Sequence, residues 1–214
     1  VGLSALRTQH PGFLRGLDLI ETTVGRTLER LQVGLAERLP HRLEAVPPLL
    51  RAGVLIPLFV AEGRVDVLFT RRTDTVLTHK GQISFPGGQR EATDANMVET
   101  ALRESYEEIG LDVPRVTVLG ELDDVFTSVS GFIVTPVVGI VHGPMAGLTL
   151  APAEVKSVFT VPIDRLQEVH TTQVREFDGH PYRIHYYTIA DDVIWGATGL
   201  ILHQFLTAWE RAAA

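Results

Sequence analysis

Six short segments between residues 53 and 189 restrict the fold of this chain more than any other feature. They read "GVLIPLFV" at 53–60, "RVDVLFTRR" at 64–72, "RVTVLGEL" at 115–122, "GFIVTPVVGIVH" at 131–142, "VKSVFTVPI" at 155–163 and "YRIHYYTI" at 182–189. Each is rich in Val, Ile, Phe, Tyr and Thr and is bounded by Gly, Pro or charged residues, so each reads as a strand. Helical patterns interrupt or end the series twice, at about 95–109 and about 197–212. Strands with sparse helices predict an α/β chain in which a mixed sheet is sandwiched between helices.

Upstream, Leu17, Ile20, Val24, Leu28, Leu31, Leu35 and Leu39 recur at spacings of three and four, which is one helical stripe. Gly25 and Gly34 weaken it by roughly 1 kcal/mol each relative to Ala. Such a helix packs on the main domain, or serves instead as a lid or a homodimer contact. "LPHRLEAVPPLLRAG" at 39–53 carries three prolines and reads as a connector. The expected division is therefore a helical extension and connector over 1–50 and a main domain over 51–214. A length of 214 residues suits one domain with an appendage.

Between Pro86 and Gly110 lie a Pro-Gly-Gly turn, a polar loop and a helix carrying Glu104, Glu107 and Glu108. Asp94 or Thr93 is positioned to cap a helix that opens at Ala95. Gly110 suits a left-handed stop. Val98, Ala101, Leu102, Ser105 and Ile109 share the face that should turn inward, and the three glutamates fall on another. Like charges on adjacent turns repel, and acids near a helix C-terminus oppose its dipole. One resolution is a solvated acidic face partnered by Arg103. The other is a hard divalent cation, for which converging carboxylates are suitable ligands.

Seen alone, the helix leaves both resolutions open. The net charge of −7 argues against nucleic-acid or anionic-membrane binding, which want basic surfaces. A polyanionic substrate would need local cations, and a divalent metal is the obvious one. The absence of cysteine excludes disulfides, thiolate nucleophiles and Cys-based zinc sites. Among the eight histidines none shows His-x-x-x-His spacing, so a zinc site is not expected. The longest apolar runs, such as "GVLIPLFVA" at 53–61, reach about half the ~20 residues that span a bilayer. No secretory signal is visible, and a cytoplasmic location is expected.

Turn, acidic helix and glycine stop together resemble the signature of the Nudix hydrolase superfamily. "RESYEEIGL" at 103–111 fits its second half, with Ser105 in a slot that is usually aliphatic. In the first half Asp94 stands where the family has Glu, and Arg103 comes one residue late, which implies one inserted residue. The resemblance implies a Nudix-type α/β/α sandwich and a Mg²⁺ or Mn²⁺ site. Its metal ligands would be Glu104, Glu107, Glu108 and the Gly88 carbonyl, with Asp94 and Arg103 in support. It also implies metal-assisted attack of water on a diphosphate. One of the three glutamates acts as general base or orients the water. Elsewhere in the superfamily that base lies on a distant loop, and Glu154 in "APAEVKSVF" is the candidate here; the alternative is a turn residue capping the next strand.

The preceding segment, "LFTRRTDTVLTHKGQISFPGG" at 68–88, resembles the signature of the coenzyme A pyrophosphatase branch. Leu68, Thr70, Arg72, Gly81, Phe85, Pro86, Gly87 and Gly88 match it. Phe69, Thr73 and Leu77 depart from it, the last replacing an arginine. The resemblance implies a substrate of the coenzyme A class, with Thr70, Arg71, Arg72, His79, Gly81, Phe85 and Gly87 near it. Arg71 and Arg72 should point to opposite faces, which makes Arg72 the first choice. Downstream, Glu121, Asp123 and Asp124 read as solvated turn acids or as the border of the site. An ADP-ribose, NADH or dinucleoside polyphosphate hydrolase and a non-catalytic nucleotide sensor are the competing readings.

Overall fold

The computed structural model describes residues 22–73, 81–177 and 179–214. Its strands are β1 (Leu50–Ala61), β2 (Arg64–Arg72), β3 (Ile83–Ser84), β4 (Gly87–Gln89), β5 (Val116–Glu121), β6 (Val125–Thr127), β7 (Phe132–Val141), β8 (Val155–Pro162), β9 (His170–Phe177), β10 (His180–Ile189) and β11 (Asp192–Ile194). The α-helices are α1 (Thr23–Glu37), α2 (Met97–Ile109), α3 (Ile163–Glu168) and α4 (Gly196–Ala213). All six segments expected as strands form them.

The main sheet runs β3-β2-β1-β7-β5, with β8 also on β2, β6 on β7 and β4 on β1. β1 and β7 pair in parallel and their other neighbours are antiparallel, so the sheet is mixed. Its central strand is apolar almost throughout because both faces are covered. Leu55 and Phe59 pack with Ala101, Leu102 and Ile109 of α2. Ile56 and Leu58 face the opposite layer, with Leu28, Leu31 and Leu35 of α1 and Leu202 and Phe205 of α4. The result is an α/β/α sandwich.

The N-terminal stripe thus packs on the main domain against α4. Thr22 caps α1, its Oγ1 accepting from the Gly25 N–H at 3.0 Å. The helix ends at Glu37, earlier than the stripe suggests, and Leu39 is 96% exposed in the connector. Leu17 and Ile20 lie outside the described residues. No helix among the described residues is long and apolar enough to cross a membrane.

Two strands of a second, antiparallel sheet, β11-β10-β9, escaped the sequence reading. β9 is "HTTQVREF", whose residues alternate too weakly in polarity to announce a buried face.

Of the acids at the end of β5, Asp124 is not a solvated turn residue, and Glu121 and Asp123 are partly exposed and ion-paired. Asp124 is buried, accepting from Arg42 Nη1 at 3.1 Å, the Leu43 N–H at 3.0 Å and Thr135 Oγ1 at 2.7 Å. Glu121 pairs with Arg42 at 2.8 Å, and Asp123 with Arg38. These acids fasten the proline-rich connector to the domain. They do so through charge-assisted hydrogen bonds, each stronger than a neutral one.

Candidate active site

The loop before α2 and the helix itself bring the acidic groups together. The helix starts two residues later than expected, because Asn96 is its cap: Asn96 Oδ1 accepts from the Glu99 N–H at 2.9 Å. Glu99 reaches back to the Ala95 N–H at 2.7 Å, a near-reciprocal cap. Asp94 therefore does not cap. It is buried and takes two bonds from Arg103, from Nε to Oδ1 and from Nη2 to Oδ2, both at 3.0 Å. Thr100 and the Glu91 N–H also donate to it. The Arg103 bonds hold the Asp94 carboxyl down at about 2, against the effect of burial.

Arg103 then reaches three ways. Its Nη1 donates to Glu104 Oε1 and Glu107 Oε2, each at 2.9 Å, and Nη2 donates to the Gln89 carbonyl at 2.9 Å. One guanidinium joins the loop acid, two helix acids and β4. Ser105 fills its aliphatic slot by being fully buried, its hydroxyl donating to the Ala101 carbonyl at 2.6 Å. Gly110 stops α2 at φ 65°, its N–H donating to Ser105 and Tyr106 carbonyls.

Across from the helix, "FPGG" is pinned to β1, with the Leu55 N–H donating to the Pro86 carbonyl at 2.9 Å. The Gly87 N–H donates to Glu108 Oε2 at 3.1 Å. Gly88 pairs with Gly53, and a Cβ on Gly88 would stand 2.5 Å from Glu104 Oε2. Only glycine lets this backbone touch the carboxylate. Gly53, which the sequence reading passed over, is equally confined. A lone glycine inside an apolar strand is the signal that marks close backbone approach.

Glu154 joins from the loop before β8. That loop is stitched to the end of α2, the Ala151 N–H donating to the Glu108 carbonyl at 2.9 Å and the Thr149 N–H to the Ile109 carbonyl at 3.0 Å. The Glu154 carbonyl accepts from the Thr73 N–H at 2.9 Å, and its side chain is exposed. Burial raises the Glu104 carboxyl, opposed by Arg103 and reinforced by Glu107 and Glu154. Burial pushes Glu108 up to about 7, with the Gly87 N–H and Arg72 opposing and Glu104 and Glu154 adding to the rise. Ionisation of Glu104 and of Glu108 is thus disfavoured both by burial and by neighbouring acids.

The other expected contacts divide. Arg72 lies 3.8 Å from Glu108 Oε1, beside the acids. Arg71 points away, ion-paired with Asp192 at 2.6 Å and set over the Phe159 ring. Thr70 and Phe85, expected near substrate, are buried instead. Thr70 Oγ1 donates to the Ser84 carbonyl at 3.1 Å, and the Phe85 ring stacks on Phe69 at 5.0 Å. They build the wall behind the turn. Gly81 turns the chain into β3 with φ 66°. His79 and Leu77 lie outside the described residues.

The donor chemistry fits a hard divalent cation: carboxylates that grade from buried Glu108 through half-buried Glu104 to exposed Glu107, beside a turn of two glycines. Glu104, Glu107, Glu108 and the Gly88 carbonyl could hold it.

The NUDIX domain family pattern matches residues 49–183. The chain belongs to the Nudix hydrolase superfamily. It is 37% identical over 156 residues to an uncharacterised Nudix hydrolase, NudL, of Photorhabdus laumondii, covering 72% of this chain and 81% of that protein. It is 35% identical over 171 residues to Nudix hydrolase 3 of Caenorhabditis elegans, covering 72% of this chain and 71% of that one. The fold is similar to that of an Ap4A hydrolase of Caenorhabditis elegans in a binary complex, with a TM-score of 0.53 and 15% identity over 74% of this chain and 96% of that one.

Proposed function

We propose that this Nudix hydrolase cleaves the diphosphate of coenzyme A or its derivatives, yielding 3′,5′-ADP and 4′-phosphopantetheine or its acylated form. The observation that carries the reading is continuity: the strand holding Arg72 and the "FPGG" turn of the coenzyme A-type segment both end at Glu108. Arg72 is 3.8 Å from that carboxylate, and the Gly87 N–H is 3.1 Å from it. Both described ends of a segment that resembles a substrate signature thus lie beside Glu108, which supports the reading.

Glu104, Glu107, Glu108 and the Gly88 carbonyl would hold Mg²⁺ or Mn²⁺. When bound, the cation screens phosphate charge and eases ionisation of water. Glu154, exposed at the edge of the acidic group, takes the proton from the attacking water as general base. Arg72 neutralises phosphate oxygen in an otherwise acidic surround. Arg103 and Asp94 act by position, holding α2 to β4 so that the carboxylates and glycine backbone keep their spacing.

Substrate comparison tests the reading. With Mg²⁺ present, coenzyme A, ADP-ribose, NADH and diadenosine tetraphosphate are offered separately and products resolved by ion-exchange chromatography. Coenzyme A should give 3′,5′-ADP with a kcat/KM at least about tenfold above the others. ADP-ribose turned over far faster than coenzyme A would overturn the assignment.

A further inference from the structure

Chain spacing gives no helical histidine pair, yet folding gathers His170 of β9, His185 of β10 and His203 of α4. One ring nitrogen from each lies within 4.8 Å of the others. We propose that these three imidazoles form a transition-metal site, distinct from the carboxylate site, that takes Zn²⁺ and clamps the C-terminal helix to the second sheet.

The pieces are arranged for it in several independent ways. His170 Nε2 and His185 Nδ1 face each other at 2.9 Å, and the rings of His185 and His203 stack with centroids 3.8 Å apart. A tetrahedral zinc with bonds near 2.05 Å needs ligand nitrogens about 3.4 Å apart. Metal binding would exchange one N–H···N hydrogen bond and a ring stack for three metal bonds. His185 is buried and the other two are half-buried.

Beside His170 and His203 is a cavity of about 130 Å³, lined also by Gln167, Tyr187 and Glu210. That volume admits waters. The Tyr187 hydroxyl borders it, fully buried and without a hydrogen-bond partner among the described residues. A buried hydroxyl left in this state costs ~1–3 kcal/mol, and a metal-bound water in the cavity would satisfy it. Glu210 accepts from Gln167 at 3.0 Å and supplies the only carboxylate among the cavity's described lining residues. Water or Glu210 completes a four-ligand set. Burial also lowers the pKa of all three rings, that of His185 to about 4 with help from its His203 and His170 neighbours. Neutral imidazole is the form that binds metal.

Imidazole ligands select zinc-like ions, and carboxylates select magnesium-like ones, so the two sites separate by chemistry. The test uses metal alone on the whole chain. Zn²⁺ is titrated calorimetrically into a Glu104→Gln/Glu107→Gln variant, which disables the carboxylate site. One ion per chain should bind with a Kd of about 1 μM or tighter and raise the thermal midpoint. Co²⁺ should then give the visible bands of tetrahedral coordination. Adding His203→Ala or His170→Ala, both at half-buried positions, should weaken Zn²⁺ binding about a hundredfold or more. Unchanged Zn²⁺ affinity in both histidine variants, or no binding in the parent, would overturn the proposal.

Discussion

Replacing Glu107 or Glu108 with Gln is expected to cut diphosphate hydrolysis on the order of 10³-fold while leaving the protein folded. The substitution keeps shape and removes charge, so it separates catalysis from packing. Glu107 is exposed and touches only Arg103 among its described hydrogen-bond partners, at 2.9 Å, which leaves little stability to lose. Glu108 is buried, and its ionised form is already disfavoured, with a pKa of about 7. A glutamine there still accepts from the Gly87 N–H and no longer carries a buried charge. Its thermal midpoint should be equal to or above that of the parent. The readouts are kcat by product formation and the midpoint by calorimetry. Unchanged turnover in both variants would remove the acids of α2 from the reaction.

Gly53→Ala should have the opposite signature, with stability and activity falling together. A Cβ at this position would lie 2.6 Å from the Met97 carbonyl and 3.0 Å from the Ala101 nitrogen. Both are backbone atoms of α2, which cannot swing aside as a flexible side chain can. The helix must lift from the sheet, and overpacking of this kind costs about 1–3 kcal/mol. Displacement of α2 also disturbs Gly87 and Gly88, because β4 pairs with β1 at this point. A Cβ on Gly87 would itself stand 2.4 Å from the Gly53 carbonyl, so the glycines hold one close contact of three backbones. Denaturant unfolding should show a lower midpoint with the same slope, and kcat should fall although no acid has changed. A variant as stable and active as the parent would show that α2 has room to move.

The elements that were legible in sequence are those whose burial leaves a period. β1, β2, β7 and β8 announce themselves because Val, Ile and Phe recur where a covered sheet needs them. The leucines of α1 do the same at helical spacing. β9 and β11 left no such trace, since one of their faces is open to water and polar residues serve equally well. At the site, the acidic face of α2 was legible because three glutamates crowd near a helix C-terminus, and the resemblance to the Nudix signature is what reads them as metal ligands. The glycine turn was legible through its proximity.

What local sequence left undecided were residues with two chemically sound uses. Asp94 suits a helix cap, but Asn96 caps, and Asp94 spends its oxygens on Arg103. Thr70 and Phe85 match a signature near substrate, yet they build the buried wall behind it. Asp124 suits a solvated turn until Arg42, Arg51 and Thr135 arrive from distant parts of the chain. The histidines are the same case, since 170, 185 and 203 become neighbours only through strand pairing and helix docking. Long-range partners decide such residues, and local sequence does not contain them.

Metal dependence tests the central claim most directly, namely that the acids of α2 hold a divalent cation for hydrolysis. The protein is stripped with a chelator, exchanged into metal-free buffer and assayed with coenzyme A while Mg²⁺ or Mn²⁺ is added back. Hydrolysis should be absent at first and return saturably with the added ion. The same restoration should fail in Glu107→Gln. Full hydrolysis in the continued presence of excess chelator would contradict the account.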